Sequence, residues 1–276
     1  KNTAPAVAIA AAWIKYKYGK DSVMVILSAD HSIEPKDIFL KTLNYAVELA
    51  NSLNKLIVMG IFPTRPDTGY GYIEIGEESG QSDSIKSYNV KRFVEKPDIK
   101  KAILYVESKK YLWNSGMFIW KTSVILEEFK NYMPLIHKRV LEVESQGFSQ
   151  KAIDNFYMNC EKQSIDYGIM EQSKRVCVVE GSFRWDDIGS WESLHRVLPQ
   201  NTNKTTTSGK KIFEKDCIET IIANNSDLPV AAIGLKNTVV VTVDDAVLVI
   251  NRDKLPEFKK YLTEMKNKPG FSNNLF

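Results

Sequence analysis

Cysteine and histidine are scarce in this 276-residue chain, and their scarcity removes whole classes of function. Three cysteines (Cys160, Cys177, Cys217) stand far apart, odd in number and without a CxxC pair, which excludes a disulfide scaffold or a cysteine zinc site. They read as reduced, partly buried thiols. The three histidines (His31, His137, His195) form no HExxH arrangement, which argues against a histidine zinc centre. No apolar run approaches the length of a membrane span, and the start carries no signal-peptide pattern. Charge of one sign is missing too: 37 basic against 34 acidic residues leave +3, too close to balance to indicate nucleic acid or a membrane surface. The simplest compartment is the cytoplasm. The chain opens on Lys1, and Thr3-Ala4-Pro5 starts a helix almost at once, which suggests that something upstream is absent.

What is present suffices for a full core. Hydrophobic residues make up 43% of the sequence, which suits one large domain or a medium one with a small companion. Thr3 reads as an N-cap and Pro5 as a first-turn residue of a helix over 6–16, closed by Gly19. Residues 23–27 are a short β-branched run expected as a buried parallel strand. Pro35 then begins a helix with Phe39, Leu43, Ala46, Val47 and Ala50 on one face, and 56–61 is a second buried strand. Strand, helix, strand with short links is the signature of a βαβ unit. Further on, strands are expected at 72–75, 90–94, 117–120 and 176–179, with a polar loop over 76–87, and helices at 100–110, 122–132 and 135–144. Composition shifts at Pro199: 200–211 is polar and threonine-rich and reads as a linker or exposed loop. Short β-rich pieces at 218–223, 230–233, 238–243 and 246–250 follow, then an amphipathic helix with Leu255, Phe258, Tyr261, Leu262 and Met265. Their spacing suits a small β-solenoid or sandwich. The expected domains are therefore 1–199 and 200–276.

Carboxylates carry the chemistry. In Phe183-Arg184-Trp185-Asp186-Asp187-Ile188-Gly189-Ser190-Trp191 two adjacent acids sit between aromatic residues, just before a helical pattern. Such a pair suits a divalent cation, which prefers oxygen ligands. Asp30 directly follows the strand at 23–27, the place where open α/β sheets put their ligand crevice. If Asp30 and Asp187 meet, they would hold a metal on a phosphorylated substrate. Four weaker clusters join them. Gly69-Tyr70-Gly71-Tyr72 places at a strand entry a glycine that either admits a ligand to the backbone or simply turns the chain. Glu95-Lys96-Pro97 ends a strand with opposite charges, suited to sugar hydroxyls and a phosphate or, as a lone pattern, to a surface ion pair. Asn114 lies in Trp113-Asn114-Ser115-Gly116, also readable as an Asx turn, and Asp166 stands at a helix start, where it can serve as a cap.

Taken in order, the runs Lys1-Asn2-Thr3-Ala4-Pro5-Ala6, ADHSI, GYGYIE, VEKP, WNSGMF, SIDYGIME and WDDIGSW closely resemble the mannose-1-phosphate guanylyltransferases, a branch of the nucleotidyl-sugar pyrophosphorylases. The resemblance extends over nearly the whole chain, including 232–241. It implies a Rossmann-like α/β domain with a mixed central sheet, followed by a short left-handed β-helix. It also implies Mg²⁺-assisted in-line attack of mannose 1-phosphate on the α-phosphorus of GTP, giving GDP-mannose and pyrophosphate. Carried over by position, Asp30 and Asp187 hold Mg²⁺, with Asp186 the rival to Asp187. Gly71, Glu95, Asn114 and Asp166 contact the mannose, Lys96 neutralises the sugar phosphate, and Asn2 and Thr3 lie near the nucleotide. A homodimer through the C-terminal domain is also implied.

The family's opening glycine-rich loop, GGxGxRLWPLSR, and the later PKQ lysine are not found in this sequence. That loop cradles triphosphate oxygens through backbone N–H groups. The expectation is an incomplete record of an intact enzyme, inactive as it stands. The alternatives are a pseudoenzyme that binds GDP-sugars or a partner without turnover, and a transferase for another sugar 1-phosphate.

Overall fold

The computed structural model describes residues 1–266 and Lys268, and they gather into two compact units, one over Lys1–Trp185 and the other from Asp186 onward. The expected closing helix is present over Phe258–Lys266. The units part earlier than the composition shift at Pro199 because the helix Trp191–Val197 belongs with the C-terminal strands. Trp191 packs against the cluster of Ile221, Ala223, Val239 and Val241.

The first unit is built on a mixed six-stranded sheet in the order β1-β6-β3-β7-β5-β4. Its strands are β1 (Val23–Ile26), β3 (Leu56–Ile61), β4 (Gly71–Ser82), β5 (Ile85–Val94), β6 (Tyr111–Lys121) and β7 (Val176–Gly181). Two short strands, β2 (Ser32–Glu34) and β8 (Arg184–Asp186), pair separately. Strand β3 is buried along its whole length, and its side chains alternate between two cores. Leu56 and Val58 join the core under helices α1 (Thr3–Tyr18), α4 (Thr122–Tyr132), α5 (Pro134–Ser145) and α6 (Gln150–Asn159). Ile57, Met59 and Ile61 join the core under α2 (Lys36–Leu53) and α3 (Ile99–Ser108). A sheet covered on both faces needs such apolar alternation to both sides, which is why β3 reads as an unbroken hydrophobic run.

Several expectations change in detail. The polar stretch 76–87 is mostly strand: β4 and β5 form a long hairpin that pairs as far as Ser82 with Ile85, with register shifts along it. The bulges break the alternation that would mark a strand in sequence. The cap of α1 is Asn2, whose side chain accepts the Thr3 N–H at 2.8 Å, and not Thr3. Helix α6 had no counterpart in the sequence reading, and helix α1 ends as expected at Gly19, which adopts the left-handed conformation.

The second unit holds α7 (Trp191–Val197), the strands β9 (Thr206–Gly209), β10 (Ile212–Lys215), β11 (Ile221–Asn224), β12 (Val230–Ile233), β13 (Thr238–Thr242) and β14 (Val247–Asn251), and α8 (Phe258–Lys266). Strands β9, β11 and β13 stack in parallel, β10 and β12 likewise, and β14 closes antiparallel on β13. Ile212 sits beside Val230 and Ile221 beside Val239, the same offset along the chain on two walls of a coil. This is solenoid stacking, one of the two expected arrangements. The threonine-rich segment is a correction: Thr206 begins a strand and is fully buried, and its hydroxyl bonds His195 Nδ1 at 2.8 Å.

Candidate active site

Strands β1, β3 and β7 run in one direction, and their carboxyl ends meet the end of β5 and the starts of β4 and β6 at one rim of the sheet. The motifs singled out in the first unit collect along this rim. A chain of rings ties four of them together. Trp185 Nε1 donates to His31 Nδ1 at 3.1 Å, and the ring of Trp185 lies 5.0 Å from that of Tyr70, which lies 5.1 Å from Trp113. The Arg65 guanidinium, paired with Asp67, covers Tyr70 and Trp113 at 5.5 and 4.9 Å. These contacts link the ADHSI, GYGY, WNSG and RWDD segments, although the residues are far apart in sequence.

Beside these rings is a notch made by Gly71, Glu95, Asn114 and Asp166. Gly71 and Asn114 are register partners across β4 and β6. A Cβ on Gly71 would fall onto Glu95 Oε2, so only glycine leaves that oxygen room. Asn114 Nδ2 donates to Asp166 Oδ1 at 2.9 Å, while Asn114 Oδ1 accepts from Gly116 N–H at 2.9 Å, fixing which way the amide points. The turn at Gly116, with φ of 69°, makes that bond possible. Asp166 is the first residue of a single π-helical turn, Asp166–Met170, a local distortion common at functional positions.

Both carboxyls of the notch are held above their ordinary range. Burial is the main cause for Glu95, raised from 4.5 to about 7, with the neighbouring Asp166 charge second; Lys96 and the Asn114 amide pull it back. Burial also raises Asp166, against the Asn114 hydrogen bond. Glu95 Oε2 is buried and has no hydrogen-bond partner. Lys96 Nζ stands 3.8 Å from Glu95 Oε1, and its side chain is largely exposed.

The remaining expected residues lie as follows. Thr3 joins the notch indirectly, since its hydroxyl accepts the N–H of Ile165, next to Asp166, at 2.9 Å. Asn2 has φ of 70° and caps α1. Asp30 is exposed in the turn that leaves β1. Asp186 and Asp187 fall in the second unit, and their neighbours distinguish them. Asp186 is buried, bound by Arg196 at 2.8 Å and by the Ile188 N–H at 3.1 Å, whereas Asp187 is half-buried and accepts the Gly189 N–H at 3.1 Å. Among the described residues no three His, Cys, Asp or Glu side chains gather as a ready-made metal cage. The sequence reading passed over Glu171, whose carboxylate accepts the Glu95 N–H at 3.0 Å, and Arg196, which engages Asp186. Glu171 stands inside a quoted motif, but nothing in its spacing signals a bond to a residue so far upstream.

A family model described as Nucleotidyl transferase matches residues 1–204. The chain is 38% identical over 272 residues to a putative mannose-1-phosphate guanylyltransferase of Vibrio cholerae, covering 96% of this chain and 56% of that protein. It is 37% identical to mannose-1-phosphate guanylyltransferase RfbM of Salmonella typhimurium, covering 96% and 55%. It thus spans about half the length of the curated relatives it matches. Among solved structures it resembles a protein named mannose-1-phosphate geranyltransferase from Thermus thermophilus, with a TM-score of 0.83 and 31% identity over 96% of this chain and 75% of that one.

Proposed function

From the premise that this chain belongs to the nucleotidyl transferase family, we propose that it serves the synthesis of GDP-mannose from GTP and mannose 1-phosphate. A phosphate oxygen of mannose 1-phosphate attacks the α-phosphorus of GTP, the bond from that phosphorus to the bridging oxygen breaks, and pyrophosphate leaves. The observation that carries this reading is the notch: two half-buried carboxyls and a buried amide around a glycine, with Glu95 Oε2 buried and unpartnered. A buried acceptor without a donor is costly, and sugar hydroxyls are donors of the right kind. Glu95, Asp166 and Asn114 would take the sugar hydroxyls, and Gly71 would let the ring approach the backbone. Lys96, exposed beside them, would meet the sugar phosphate, while Asn2 and Thr3 would flank the nucleotide. The names of the relatives favour mannose and guanine.

Asp30 and Asp187 are proposed as ligands of Mg²⁺. The donors suit that ion, which takes one or two carboxylates and completes its shell with water and substrate phosphates. When bound it would neutralise phosphate charge. Asp187 is preferred by its place two residues before Gly189 in the W-x-D-x-G pattern, and Asp186 carries the Arg196 ion pair. The test is pyrophosphate release from GTP and mannose 1-phosphate by a chain extended at its N-terminus to carry the glycine-rich loop, with Asp187→Asn compared to that parent. The expected outcome is turnover in the parent, abolished in the variant with its circular dichroism unchanged. Undiminished turnover in the variant overturns the metal assignment. Absence of both turnover and mannose 1-phosphate binding in the parent overturns the function.

Three narrower readings accompany this one. The catalytic domain is proposed to end near Pro199, close to where the family match stops at residue 204. The C-terminal coil is proposed to be a left-handed β-helix that pairs two copies into a homodimer, supported by the exposed Val247 and Val249 on β14. A cytoplasmic setting is supported by three buried, unbridged thiols. No helix among the described residues is long and apolar enough to cross a membrane.

A further inference from the structure

We infer that Glu171 is the positioning residue of the sugar-phosphate subsite, a clamp that joins the segment carrying Glu95 and Lys96 to the turn carrying Asp166. The inference rests on the proposed reading of the notch as that subsite. Its two carboxyls come from separate pieces of chain, and Glu171 touches both. Through its side chain, Oε1 accepts the Glu95 N–H at 3.0 Å. Through its backbone, its N–H donates to the Asp166 carbonyl at 2.9 Å. One residue therefore sets the distance between the two groups that would grip the sugar.

The segment it holds needs holding. Lys96, directly after Glu95, has φ of 47°, a left-handed conformation costly for a non-glycine residue, and Pro97 follows it. Such a conformation persists only where neighbouring contacts over-determine it. The Glu95 N–H is the amide just before that strained residue, and it is bound by a charged acceptor, the stronger kind of hydrogen bond. The arrangement also has an electrostatic cost. Glu171 places a third negative charge near Glu95 and Asp166, and its charge opposes ionisation of Glu95. An alanine there would relieve the repulsion, and a glutamine would relieve it while keeping an acceptor oxygen. The hydrogen bond and the charge are thus separable by mutation.

The experiment compares the parent, Glu171→Gln and Glu171→Ala by two measurements: solvent exchange of the Glu95 amide proton by NMR, and calorimetric titration with mannose 1-phosphate. In the alanine variant the amide proton should exchange at least about tenfold faster and the sugar phosphate should bind about tenfold more weakly, or 1.4 kcal/mol. The glutamine variant should stay within about twofold of the parent in both. Unchanged exchange in the alanine variant overturns the clamp, as does unchanged affinity where the parent binds. Equal losses in the glutamine and alanine variants also overturn it, since charge would then be the cause. If the parent binds no mannose 1-phosphate, the proposed function fails instead, and the exchange rates alone decide whether Glu171 holds the segment.

Discussion

Glu95 gives the stability of the unliganded protein a pH dependence. Its carboxyl titrates near 4.5 in an ordinary setting and at about 7 in the fold, so between those values the native state binds the extra proton. Stability therefore falls as pH rises through that window, by no more than about 3 kcal/mol, and is greatest from this group below about pH 4.5. Urea unfolding at pH 5 and pH 7.5 should show the loss, and Glu95→Gln should flatten it; an equal slope in the variant would assign the effect elsewhere. Asp186 is held in an ion pair with Arg196. Arg196→Ala should lower stability by about 2 kcal/mol, measured by urea midpoint, since a buried carboxylate is left without its partner. At this scale the sequence revealed which residue types sit where, because a carboxylate at a strand end or beside a proline stands out. It did not reveal partnerships. The ion pair of Asp186 with Arg196 is not written in its spacing, and nothing links Glu171 to Glu95 until the π-helical turn is in place.

Elements were legible in proportion to their burial. Strand β3 and helix α2 announce themselves, one by a continuous apolar run and the other by a periodic face. The β4–β5 hairpin does not, because its outer half is polar and its bulges shift the register. The strand at Thr206 is hidden for another reason: its interior contacts are made by threonine hydroxyls in place of aliphatic carbons. Gly60 in β3 shows how closely an element can be fitted. An added Cβ would stand 2.6 Å from Val178 Cγ2 and 2.7 Å from Leu112 Cδ1, deep between β7 and β6. Gly60→Ala should therefore cost about 1–3 kcal/mol through overpacking. A urea midpoint equal to that of the parent would mean that the sheet opens more easily than its packing suggests.

The molecule consists of two units with different rules of assembly. The first folds around one sheet with a core on each face, so its order depends on contacts between distant segments. The second adds coil upon coil, each strand resting on the previous turn. The end of such a stack is where a second copy would join in the proposed homodimer. Val249→Lys, placed on the exposed edge of β14, should convert the sedimenting species to monomer; an unchanged dimer would move the interface off this strand. Alternation of strand and helix was readable from sequence. The order of strands was not, since pairing is a property of the whole sheet. Strand β1 stands at the sheet's border, bonded to β6, with no strand on its other flank among the described residues, and Val25 and Leu27 are 41% and 45% exposed there. An open ladder of peptide groups flanked by aliphatic side chains is adhesive to any extended chain. A strand laid along that border would take up the ladder's peptide groups and cover both side chains.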